Sequence, residues 1–109
     1  MAAADDAVRA GRSHLSRGEL DLAIRAFRAA LRDAPDDLDA REALGLALAK
    51  AGRNEEALEE LERVCARAPS RESSRRARGE VLMRLGRFEQ GVDELKRAMD
   101  SGRHRQERP

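Results

Sequence analysis

The sequence predicts an all-α solenoid, three helix–turn–helix units stacked in a row, and three observations carry that expectation. Six of the eight glycines fall into two series with one spacing of 34 residues, Gly11/Gly45/Gly79 and Gly18/Gly52/Gly86. Within each 34-residue unit the apolar residues recur at helical intervals, as in Ile24, Phe27, Leu31 and in Leu58, Leu61, Cys65. The composition agrees: 39% charged and 40% hydrophobic residues with only 2% aromatics favour helices with narrow apolar faces over a β-sandwich.

The elements follow in order. Helices are expected over 4–16, 21–33, 38–50, 55–67, 72–84 and 89–101. Gly18, Gly52 and Gly86 lie between the two runs of each unit, where a tight turn requires positive φ. Gly11, Gly45 and Gly79 fall inside the first helix of each unit, where glycine costs ~1 kcal/mol against alanine. Their recurrence implies that a second helix approaches the backbone there, with the small residues Ala23, Ala57 and Gly91 as the expected contact. Pro35 and Pro69, again 34 apart, end the second helices. Asp37, Ser70 and Asn54 stand as N-caps, the last with Glu55 and Glu56 toward the helix dipole. Gly102 is the expected stop of the last helix. Phe27, Leu31, Leu44, Leu48, Leu58, Leu61 and Leu82 form the expected core.

These columns resemble the tetratricopeptide repeat. Unit 4–37 carries Gly11, Ala23, Phe27, Ala30 and Pro35 on the motif; unit 38–71 carries Leu44-Gly45, Ala57, Leu61, Val64 and Pro69. Unit 72–105 carries Gly79, Gly91, Leu95 and Ala98. The departures are the aromatic near the start of each first helix, replaced by Ala7, Arg41 and Arg75, the early leucine, replaced by Ala10 and Arg78, the first-helix tyrosine, replaced by His14, Leu48 and Leu82, and the final proline, replaced by Arg103. The resemblance implies a right-handed superhelix, with a single domain over 1–102 and a flexible basic tail over 103–109.

It also implies a partner-binding inner wall built from the first helices. That wall comprises Val8, Arg12, Leu15 and Ser16 from the first unit and Glu42, Leu46, Ala49 and Lys50 from the second, with Arg76, Glu80, Met83 and Arg84 from the third. Some members of the family hold acidic chaperone C-termini with a two-carboxylate clamp of Lys, Asn and Arg. Here the matching positions are Val8, Arg12, Ala43, Ser73 and Ala77, four of which lack the donor. The implied function is a non-catalytic protein–protein interaction module of adaptor, scaffold or assembly-chaperone type.

The chemical alternatives are thin. The two histidines are His14, in a slot that the repeat normally packs, and His104 in the tail, so no catalytic residue is assigned. Cys65 shares a packing column with Leu31 and Met99, and no Cys/His spacing suggests a metal; no cofactor is expected. No run nears the ~20 apolar residues of a membrane span, and the first residues lack a signal-peptide pattern, so the cytoplasm is the expected compartment. The alternative function is nucleic-acid binding. Residues 71–109 carry 11 basic and 7 acidic side chains, with Arg71, Arg75 and Arg78 on one helix face. Against that, no aromatic is free to stack on bases, and Arg75 and Arg78 are expected to pair with the glutamates of helix 55–67.

At the C-terminal edge, Phe88, Val92, Leu95 and Met99 read as one apolar face of the last helix. No further repeat follows to cover them, so this edge is expected to associate, with a second copy or with the partner.

Overall fold

The computed structural model describes residues 2–107, with side chains described for residues 3–100. The described residues form six α-helices: α1 (Ala2–Ser16), α2 (Leu20–Asp33), α3 (Leu38–Lys50), α4 (Asn54–Arg67), α5 (Glu72–Arg84) and α6 (Phe88–Glu107). They pair as three hairpins, each unit touching only its sequence neighbours. The first helices come within 8 Å of one another, α1 with α3 and α3 with α5, whereas among the described residues no pair of α2, α4 and α6 does so. The first helices therefore form the inner side of the array and the second helices splay outward.

One turn geometry recurs three times. In the second unit the Gly52 N–H donates to Ala49 O at 3.0 Å and the Arg53 N–H to Leu48 O at 2.9 Å. This is a Schellman arrangement, with Gly52 in the left-handed region at φ +79. Arg53 O then accepts the Ala57 N–H at 3.0 Å, so one residue closes α3 and opens α4. That double duty displaces the expected cap: Asn54 is the first residue inside α4, and Arg53 holds the N-cap position without a side-chain bond to the helix backbone. Likewise Arg71, not Ser70, precedes α5. Only Asp37 caps as expected, accepting the Ala40 N–H at 3.0 Å.

The glycines inside the first helices mark the closest approach within each hairpin. A Cβ on Gly45 would stand 2.9 Å from Leu61 Cγ, so the main contact is the Phe27/Leu61/Leu95 column, with the Ala57 carbonyl behind it. A single apolar cluster runs through the array, including Ile24, Phe27, Leu44, Leu48, Leu58, Leu61, Val81 and Leu82. Each such side chain contributes roughly 1.5–3 kcal/mol of burial. Leu31 is the exception among the expected core residues. It is half-buried, because the splay of α2 from α4 leaves an open outer cavity of about 380 Å³ on which it lies.

The end of α6 also differs from expectation. The helix passes Gly102 and continues to Glu107. Gly102 occupies the repeat position of Ala34 and Ala68, which end their helices because Pro35 and Pro69 follow; here Arg103 follows and retains its N–H.

Candidate functional site

The inner wall brings together part of the expected groove. Between α3 and α5, Leu46, Ala49, Lys50, Glu80 and Arg84 line a cavity of about 90 Å³ floored by Ala77 and Val81. Leu46 is 36% exposed and presents the apolar surface there, since leucine at this helix position faces away from the hairpin partner. Arg84 is fixed at the rim by donating through Nη1 to Ala49 O at 3.0 Å. Arg76 and Met83 lie outside this cavity: Arg76 is exposed and Met83 partly buried. In the first unit, Val8 and Leu15 are partly buried against the core, leaving Arg12 and Ser16 as exposed members. Ser16 Oγ donates back to Ser13 O at 2.8 Å.

Glu42 belongs to the junction more than to the open groove. Its Oε2 accepts from Ser73 Oγ at 2.8 Å and from Ser74 Oγ, and lies 3.5 Å from Arg71 Nη1. Arg71 also reaches Asp39 at 2.9 Å, and that hydrogen bond holds its guanidinium above the ordinary range. These bonds tie the start of α5 to α3 and so set the width of the groove.

The outer side carries a network that reading residue by residue missed. Arg41 Nη1 donates to Glu60 Oε1 at 3.1 Å and Oε2 at 3.2 Å, its Nη2 donates to Pro35 O at 3.0 Å, and Arg63 Nη1 adds a bond to Glu60 Oε1 at 2.9 Å. The third unit repeats it, with Arg75, Arg78 and Arg97 around the buried Glu94, and Arg75 Nη2 donating to Pro69 O. Arg75 and Arg78 therefore pair within their own hairpin and not with α4, whose Glu60 is already engaged. The signal was present: Arg41/Arg75, Glu60/Glu94 and Arg63/Arg97 are each 34 apart. Arg71, Arg75 and Arg78 all stand beside carboxylates, so no continuous strip of unpaired cations runs along this face.

Two further groups complete the picture. Arg53 donates to Glu56 Oε1 at 2.8 Å and holds that carboxyl below its usual range; Arg28, across from α2, adds a bond to Oε2 at 3.0 Å. Cys65 is partly buried, and burial pushes its thiol up, opposed by the nearby Arg78 and Arg75. No group of three or more His, Cys, Asp or Glu among the described residues is placed to hold a metal. Among them, too, no helix is long and apolar enough to cross a membrane.

At the C-terminal edge, Phe88 (59% exposed), Val92 (39%) and Met99 (60%) face solvent. Leu95 points the other way, packing against α5 at Gly79. The expected four-residue stripe is thus three residues wide, because Leu95 is the third-unit member of the Phe27/Leu61 column.

The fold has known counterparts. The chain is similar to the TPR2B domain of yeast Sti1 in its complex with pHsp70 (TM-score 0.88, 17% identity, covering 93% of this chain and 81% of that one). It is likewise similar to MamA (TM-score 0.89, 21% identity, covering 97% of this chain and 62% of MamA). No curated protein sequence matches it. The family profile described as Tetratricopeptide repeat matches residues 2–72, and the six helices extend the same 34-residue pattern to a third unit. The chain belongs to the tetratricopeptide repeat family.

Proposed function

We propose that the chain is a non-catalytic protein-interaction module of adaptor, scaffold or assembly-chaperone type. It binds an extended or helical segment of a partner protein along the inner wall. The observation that carries this reading is the cavity between α3 and α5, where an exposed leucine, Leu46, sits among Lys50, Glu80 and Arg84. An apolar anchor ringed by charges of both signs suits a mixed-sequence segment with one buried side chain. The exposed Phe88, Val92 and Met99 offer a second contact, for a copy of the chain or for the same partner.

Likeness to a repeat domain complexed with pHsp70 supports a protein segment as the ligand. The side chains argue against a two-carboxylate clamp for it. Of Val8, Arg12, Ala43, Ser73 and Ala77, only Arg12 offers a cation, Ala77 is buried, and Ser73 donates to Glu42. Affinity capture with wild type and Leu46→Glu, compared by quantitative mass spectrometry, tests the reading. A partner held by wild type and lost with Leu46→Glu is expected; equal capture by both proteins contradicts a groove centred on Leu46.

A further inference from the structure

The two outer junctions share one arginine–glutamate–arginine set, and differ in how fully its carboxylate is engaged. In the second unit, the carboxylate of Glu60 is saturated by hydrogen bonds from Arg41 and Arg63 at 2.9–3.2 Å. The third unit keeps the equivalents Arg75, Glu94 and Arg97, but Arg78 stands where the second unit has Leu44. Three guanidinium groups then surround one buried carboxylate, and each is held off: Arg75 Nε lies 3.9 Å from Glu94, Arg78 Nη1 3.6 Å and Arg97 Nη1 3.5 Å. Arg78 Nε is buried without a hydrogen-bond partner. These groups, with Glu62 and Cys65, line an open cavity of about 310 Å³ between α4, α5 and α6. The wall holds three guanidinium groups against two carboxylates. An incoming oxyanion would supply the short charge-assisted bonds that Glu94 alone does not provide.

We propose that this outer pocket is an oxyanion site, taking a single phosphate or carboxylate group between Arg75, Arg78 and Arg97. It is independent of the inner groove, which lies on the opposite side of the array. The cavity between α2 and α4 serves as an internal control. It holds four arginines against three carboxylates, but Arg41 and Arg63 already donate to Glu60, Arg28 donates to Glu56, and Leu44 stands at the position of Arg78.

The test uses the full chain and inorganic phosphate, titrated at constant ionic strength against chloride. The arginine Nε–H signals are followed by NMR, and the rate of Cys65 alkylation by iodoacetamide is measured in parallel. Phosphate should shift the Arg78 and Arg75 signals saturably and leave those of Arg41 in place. It should also slow alkylation several-fold, because it covers the thiol and neutralises the arginines beside it. Arg78→Leu, which restores the residue type of the second unit, should abolish both responses. Arg97→Gln, a substitution at an exposed position, should weaken them without touching the core. Phosphoserine and acetate, run alongside, distinguish a free phosphate ion from a phosphorylated or acidic side chain as the natural source. Tighter binding of phosphoserine points to a side chain, and equal binding to the free ion; either supports the site. The proposal is overturned by equal shifts in chloride, by responses that persist in Arg78→Leu, or by a signal that appears only with a polyanion such as RNA.

Discussion

Arg41 and Glu60 clasp the second hairpin from its outer side: one guanidinium nitrogen donates to both carboxylate oxygens, at 3.1 and 3.2 Å, with each side chain more than four-fifths buried. Arg41 occupies the position where repeats of this family carry an aromatic residue. An ion pair therefore stands in place of a packed ring in the second unit, whereas in the third Arg75 approaches Glu94 only to 3.9 Å. The first unit has Ala7 and Ala26 at the two positions and does without either device.

Removing one partner should cost more than removing both. Glu60→Ala should lower the unfolding free energy by roughly 2–3 kcal/mol, below the ~3–5 kcal/mol of a fully buried pair because some solvent reaches it. Arg41→Leu/Glu60→Leu should stay within about 1 kcal/mol of wild type, since apolar packing replaces the desolvated charges. Urea unfolding of the two single Leu variants and the double completes the cycle; strict additivity would show that the pair is not coupled.

The two glycine columns should respond to alanine for different reasons. Gly45→Ala gains ~1 kcal/mol in helix propensity yet drives a methyl into Leu61, for a net loss of roughly 1–3 kcal/mol. Gly52→Ala meets nothing within 4 Å and should lose about 1 kcal/mol through left-handed backbone strain alone. Adding Leu61→Ala relieves the first loss and leaves the second unchanged. Thermal melts of each glycine variant beside its own parent, wild type or Leu61→Ala, separate contact from conformation.

The edge of α6 should associate. Val92 and Met99 are the counterparts of Ile24/Leu58 and Leu31/Cys65, which the following unit covers in whole or in part. Each exposed side chain forgoes roughly 1.5–3 kcal/mol of burial. Light scattering should show wild type associating as concentration rises and Val92→Glu/Met99→Glu remaining monomeric. If wild type stays monomeric at every concentration and both proteins bind the partner equally, the edge has no such role.

Much of this was legible in the spacing of 34 and little in the chemistry of single residues. Gly18, Gly52 and Gly86 located the three turns, and Pro35 and Pro69 the helix ends, because backbone geometry admits few alternatives there. Asn54 looked like a better cap than Arg53, yet the Schellman turn fixes the cap by register, whatever side chain arrives. Gly102 looked like a stop, but in this repeat the stop comes from the proline one residue later. Arg75 and Arg78 meet Glu94 and not the acidic run of α4, because the 34-residue column that holds Glu60 continues at Glu94. Within the proposed groove, Leu46 and Arg84 line the cavity between α3 and α5. Glu42 was not recognisable as a junction residue, since its ties to Ser73 and Ser74 depend on how closely α5 docks on α3.

The central claim, that a partner segment lies along the inner wall, is tested most directly by photocrosslinking from defined positions. A benzoylphenylalanine replacing Leu46 or Glu80 reports on the groove, and one replacing Arg32 or Glu59 reports on the outer face. Adducts to one partner protein, mapping to one short segment of it, are expected from Leu46 and Glu80 and not from Arg32 or Glu59. Adducts confined to the outer positions would contradict the groove reading.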